Sequence, residues 1–177
     1  IAGGVEADGN DAYIETDDEL TSLRSTSTLS AWVRFEWWES GDDELEDAWG
    51  IAGWSECVDW DPGWFDNDCD GFDSDSIHWG WTDQSLDIGL NVGDENTAKG
   101  LTNLDDDEWH YVTLTRDATS GDLEVYIDGT IEHTSSGPSG TVSEPFSNIG
   151  RIVNAGASDD EYFSGLLDET RISRTVR

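Results

Sequence analysis

The run DNDCDGFDSD places carboxylates at Asp66, Asp68, Asp70, Asp73 and Asp75. Alternate Asp residues on a tightly turning loop can converge on calcium, a hard cation that takes about six to eight oxygens. Gly71 permits the turn, and the Phe72 backbone falls at a position that donates a carbonyl in such loops. At the twelfth position Ile77 stands in place of a bidentate Glu, so the run is not a complete EF-hand loop. The alternative is a solvated acidic loop, because Asp is abundant along the whole chain.

A second chemistry lies nearby. Trp37, Trp38, Trp60 and Trp64 sit in or beside this acidic stretch. A flat aromatic ring matches the apolar face of a sugar, the indole N–H adds a donor, and neighbouring carboxylates can accept from sugar hydroxyls. The competing role for these Trp is to cover one end of the core. Trp32, Trp49, Trp54, Trp79, Trp81 and Trp109 lie on strand-like segments and are expected to pack internally. Cys57 and Cys69 flank Trp60 and Trp64. In a secreted chain they read as one disulfide closing that loop, worth roughly 3 kcal/mol in the chain-entropy model. Reduced, buried thiols are the alternative. Zinc is not expected, since two thiols without a nearby His pair leave a tetrahedral site incomplete. His78, His110 and His133 are scattered, and His110 reads as structural. No nucleophile elbow and no phosphate-binding Gly loop occurs.

The elements that must position these residues are strands. Residues 28–35 alternate, with Leu29, Ala31, Val33 and Phe35 on one face and Ser30, Trp32 and Arg34 on the other. Similar runs cover residues 12–16, 49–54, 78–82, 86–92, 109–116, 146–153 and 166–172. Leu123, Val125 and Ile127 alternate up to Asp128-Gly129, after which residues 131–134 resume. Asp-Gly between two such runs is the preferred chemistry of a two-residue primed hairpin turn. No helix of ordinary length is expected, and many short strands with frequent turns mean an all-β sandwich.

The chain has 177 residues, the size of one domain, and a formal net charge of −33, from 41 acidic and 8 basic residues. The acids are spread through a Trp-rich, alternating sequence, which describes a folded body with an acidic surface and not a disordered tail. Seven of the eight basic residues are Arg, and Lys99 is the single Lys. Such a surface repels itself in dilute buffer, whereas at molar salt the Debye length falls to about 3 Å. The carboxylate-rich, Lys-poor surface resembles that of extreme halophiles of haloarchaeal type, so a high-salt habitat is expected; an acidic secreted protein from an ordinary habitat is the alternative. DNA, RNA and anionic lipid would be repelled. No apolar run reaches transmembrane length. A chain that opens at Ile1 reads as the mature or excised part of a larger secreted protein.

In order and spacing these pieces resemble the LamG-like (laminin G type 3), concanavalin A-like family. ADGNDAYIET resembles its opening, LSAWVRF its next strand, DEWHYVTLTRDATSGDLEVYIDGTI its Trp-His strand and hairpin, and FSGLLDETRIS its closing strand. The resemblance implies a two-sheet antiparallel jelly-roll sandwich over residues 1–177, with a divergent Trp/Asp/Cys-rich insertion at about residues 37–84. It also implies a structural calcium held by Asp168, with backbone carbonyls near the start of the domain; pairing of Asp168 with Arg171 is the alternative. Some members of the superfamily are glycosidases with alternating strand carboxylates, which Glu15, Asp17 and Glu19 superficially copy. Thr16 and Asp18 between them are polar where such a strand needs apolar residues, so catalysis is not expected.

The expected function is calcium-supported, non-catalytic binding of a surface glycan or exopolysaccharide outside the cell. A structural or adhesive role against protein neighbours, in a cell surface, a pilus or a halophilic virus particle, is the alternative. Halophilic design makes one plain prediction. Dialysis to low salt should collapse the β-type circular dichroism spectrum; an unchanged spectrum would remove the high-salt reading.

Overall fold

The computed structural model describes residues 5–8, 11–35, 50–56, 73–82, 87–93, 97–104, 106–155 and 161–176. The strands are β1 Val5–Asp8, β2 Ile14–Glu15, β3 Ser27–Phe35, β4 Ala52–Glu56, β5 Ile77–Thr82, β6 Ile88–Val92 and β7 Thr97–Lys99. They continue as β8 His110–Arg116, β9 Asp122–Ile127, β10 Thr130–Ser136, β11 Asn148–Ile149, β12 Arg151–Ala155, β13 Glu161–Tyr162 and β14 Ser164–Ser173. A short 3-10 helix spans Thr21–Arg24.

The strands form two six-stranded sheets, ordered β1-β14-β3-β8-β9-β10 and β13-β12-β4-β5-β6-β7, with a small β11-β2 pair beside them. Pairing is antiparallel except between β12 and β4, which run parallel. This is the expected all-β, two-sheet jelly-roll sandwich. The stretch set apart as divergent contributes β4 and β5, two inner strands of the second sheet.

Period-two alternation builds the core between the sheets. Leu29, Ala31, Val33 and Phe35 of β3, with Val112 and Leu114 of β8, are fully or almost fully buried. Across from them lie Trp54, Ile77, Trp79, Leu90 and Val92, all in the same cluster. The Trp79 indole N–H donates to the Leu23 carbonyl at 3.0 Å, which fixes the 3-10 helix over one end of the core.

Two local features differ in kind. At the β9–β10 turn, Asp128 (φ 50°) and Gly129 (φ 79°) are both left-handed, the primed turn that Asp-Gly favours. The run over residues 146–153, expected as one strand, is instead broken at Gly150 (φ +92°), where the Gly150 N–H donates to the Ile51 carbonyl at 2.6 Å. Only glycine takes that conformation freely, so the chain changes partner there from β2 to β12's neighbours.

The sandwich is closed along one side by side chains of β10. Glu132 accepts the Leu101 and Thr102 N–H groups at 2.7 and 3.0 Å, and His133 Nδ1 accepts the Lys99 N–H at 2.8 Å. At the other end Arg116 is fully buried and donates to the carbonyls of Arg24, Pro138 and Gly140 at 3.0, 3.2 and 2.9 Å. One guanidinium thus staples the 3-10 helix and the loop after β10 to the sandwich. Arg116→Ala should cost about 3 kcal/mol, because three carbonyls lose their donor in a dry site. The expected fall in thermal midpoint is roughly 6–12 °C; a shift within about 2 °C would show that the staple is idle.

Candidate functional site: an aromatic sheet face

The two sheets differ on their outward faces. On the second sheet Ser55, His78, Asn91 and Ile152 point away from the core and yet are buried. On the first sheet the outward face is open at Trp32, although Thr28, Ser30 and Thr115 of the same face are buried. Alternation turns Ser30, Trp32 and Arg34 outward on β3, and Trp32 is 37% exposed. Tyr111 of β8 stands in register beside it, with ring centroids 5.3 Å apart and planes inclined at 52°. This tilted pairing is a favoured aromatic geometry. The Tyr111 hydroxyl donates to Ser30 Oγ at 3.0 Å, so the ring that braces Trp32 is itself held. One pleat along, the Arg34 guanidinium lies 5.9 Å from the centroid of the half-buried Trp109 ring.

The composition of this face is unusual for the chain. Neither β3 (STLSAWVRF) nor β8 (HYVTLTR) contains a carboxylate, in a protein with 41 acidic residues. The carboxylates on this face lie on flanking strands. Glu124 of β9 already accepts from the Tyr126 and Thr115 hydroxyls at 2.9 and 3.1 Å. Asp168 of β14 is in register with Trp32 on the side away from Tyr111. A bulge follows, with Glu169 at φ 48°, and the Glu169 N–H donates to Asp168 Oδ1 at 2.8 Å. The bulge returns Arg171 to register with Ser30, and Arg171 is exposed.

The loop that delivers Trp109 is anchored by a charged clamp. His110 Nδ1 lies 2.8 Å from Asp128 Oδ2, and Nε2 lies 3.2 Å from Asp106 Oδ1. Asp128 Oδ1 accepts the Tyr111 N–H at 2.9 Å. Burial acts to lower the His110 pKa, but the hydrogen bonds and charges of Asp128 and Asp106 outweigh it, and the pKa is raised. When protonated, the ring donates from both nitrogens, one to each carboxylate.

Some expected site residues are found apart from this face. Asp73 and Asp75 precede β5: the Asp75 N–H donates to Asp73 Oδ1 at 2.9 Å and the Ser143 hydroxyl to Asp75 Oδ2 at 2.6 Å. Asp66, Asp68, Asp70, Phe72, Trp37, Trp38, Trp60, Trp64, Cys57 and Cys69 lie outside the described residues. Among the described residues no three His, Cys, Asp or Glu converge as a metal site. Asp168 keeps one oxygen beyond its own bulge and so fits a metal as a single ligand only. Asp168 and Arg171 form no ion pair among the described residues.

Trp54 and Trp79 pack internally as expected, whereas Trp32 does not. Its position opposite in parity to Leu29, Ala31, Val33 and Phe35 was the available signal. Glu15, Asp17, Asp18 and Glu19 are all exposed, and Glu19 pairs with Arg24 at 3.4 Å. A smaller aromatic group stands at the edge of the second sheet, where the Arg151 guanidinium sits 3.9 Å from the Tyr13 ring centroid.

The profile of the laminin G type 3 family, described as the concanavalin A-like lectin/glucanases superfamily, matches residues 8–177. The chain belongs to this family. Similar solved folds include domains LG4-5 of the mouse laminin α1 chain, at 14% identity and a TM-score of 0.57 over 97% of this chain and 41% of that one. The CBM40 of a Ruminococcus gnavus IT-sialidase gives 11% identity and a TM-score of 0.60 over 99% and 92%. A putative carbohydrate binding protein from Bacteroides ovatus gives 17% identity and a TM-score of 0.55 over 98% and 45%. The family member described here thus spans about two-fifths of the length of the laminin segment. No curated protein sequence matches it significantly.

Two histidines of this LamG-like sandwich should respond to pH with opposite sign. Burial pushes the His78 pKa down to about 4, so the fold keeps it neutral and loses stability as pH falls from about 6.5, its unfolded value, towards 4. The raised pKa of His110 adds stability that is complete below about 6.5 and is lost as pH rises through the folded value. In an NMR titration His110 should change above 6.5 and His78 only near 4; a common midpoint would refute both assignments.

Proposed function

We propose that this LamG-like chain is a non-catalytic glycan-binding module that receives a sugar ring on Trp32. The carrying observation is the exposed indole, braced by Tyr111, at the centre of a sheet face whose two central strands hold no carboxylate. The apolar face of a pyranose stacks on such a ring, while Asp168 beside it accepts hydroxyl protons. Hydrolysis would need two carboxylates flanking one bond, roughly 5–9.5 Å apart. Beside Trp32 the register places a single one, Asp168. The lectin/glucanase superfamily and the carbohydrate-binding names among similar folds support the same class of partner.

Calcium keeps a supporting place in this reading. Asp73 and Asp75 each use one carboxylate oxygen locally, and the second oxygen of each is what it would offer a calcium ion. The net charge of −33 supports a high-salt setting.

Screening the purified chain on a glycan panel in molar salt, with calcium and with chelator, tests this function. Trp32→Ala should weaken a bound glycan at least about tenfold, or roughly 1.4 kcal/mol, without changing the circular dichroism spectrum. Undiminished binding by that variant would move the site elsewhere. Binding indifferent to chelator would remove calcium from it.

A further inference from the structure

We infer that the glycan taken by the Trp32 face bears carboxylates, as in a uronic-acid polymer, and that Arg171 supplies the contact to them. The inference rests on the glycan-binding reading of that face and adds the chemical class. Its ground is where the few cations stand. Arg116 is buried under three carbonyls, and Arg24 and Lys99 are ion-paired with Glu19 and Asp87 at 3.4 and 3.2 Å. Arg34 and Arg171 both point to the outer face of the first sheet. Arg34 packs on Trp109 and Arg151 on Tyr13, and the Arg174 Nε–H donates to Ser22 Oγ at 3.4 Å. Arg171 is exposed, and among the described residues it forms no ion pair. It stands in register with Ser30, two residues along β3 from Trp32, which is about 7 Å. A sugar ring stacked on the indole would bring a substituent on that ring, or on the next one, within reach of the guanidinium. The planar fork of Arg matches a carboxylate bidentately.

The neighbourhood makes this a contact between opposite charges. With no carboxylate on β3 or β8, an acid group beside Trp32 and Ser30 meets Arg171 of the neighbouring β14, on the same side as Asp168 but across the bulge from it. Asp168 is partly satisfied by the Glu169 N–H. The rest of the surface would repel a polyanion, but that repulsion acts at a distance. At about 1 M salt it is screened beyond some 3 Å, while a bidentate pair in contact survives. Binding of an acidic glycan should therefore strengthen as salt rises, the reverse of the usual dependence for a charged ligand.

The test compares a uronic-acid oligosaccharide with its carboxyl-reduced counterpart by calorimetry, over the salt range in which circular dichroism stays native. The acidic form should bind about tenfold tighter than the reduced form in molar salt, and its affinity should rise with salt. Arg171→Gln should bring the ratio of the two affinities to about one, and Arg171→Lys should restore part of it. Equal affinity of the native chain for both forms would overturn the carboxylate assignment and leave glycan binding standing. A ratio unchanged in Arg171→Gln would overturn the role of Arg171. Binding of neither form, together with self-association lost in Trp32→Ala, would overturn both readings and make the face a contact between copies of the chain.

Discussion

Because side chains alternate across a strand, a β3 that buries Leu29, Ala31, Val33 and Phe35 against Trp79 must turn Ser30, Trp32 and Arg34 to the outside. That single parity decides which face of the first sheet meets the second and which meets solvent. It carries across the sheet through the registers Trp32 to Tyr111 and Trp32 to Asp168. The bulge after Asp168 matters for the same reason. Without its extra residue, position 171 would fall on the core side and the apolar Ile172 on the solvent side; with it, Ile172 meets Leu29 and Arg171 meets Ser30.

Much of this was legible in the chain. The alternating runs and the Asp128-Gly129 turn identify the sandwich and its best hairpin, because period and turn chemistry are local properties. What escaped was set by tertiary pairing. β1, β7 and β13 are short strands with little pattern of their own, and their pairing with β14, β6 and β12 makes them strands. The break at Gly150 was hidden because Ile149 and Ile152 suit a continuous strand; only the partners on either side show that the chain must bend. The site was half legible. Asp168 was named through a resemblance, and Trp32 was placed on the outer parity, but its surroundings depend on three strands far apart in sequence. The assumption that a strand Trp belongs to the core failed there because a Trp on the solvent parity cannot reach it.

Asp128 shows how closely fold and site are tied. As a turn residue it takes a left-handed conformation, its backbone pairs with Tyr111, and its carboxylate holds both the Tyr111 N–H and His110. The same residue therefore closes the hairpin, positions the strand that braces Trp32, and anchors the segment that brings Trp109 to Arg34. A change there is felt in the hairpin and on the aromatic face at once.

The distribution of charge carries the last step. Carboxylates spread over a surface keep a chain hydrated and soluble in strong salt, and nothing in that task exempts one exposed sheet face. At such ionic strength a carboxylate more than a few ångströms from a partner is screened, so clearing acids from β3 and β8 would serve little purpose for attraction at a distance. Clearing them matters for a partner that touches the face, where each displaced carboxylate would otherwise be desolvated without compensation. The exposed Trp32 and the Tyr111 that braces it stand on those two cleared strands, with Arg171 on the strand beside them, as the proposed contact surface needs, and their placement comes from the same alternation that fills the core behind them.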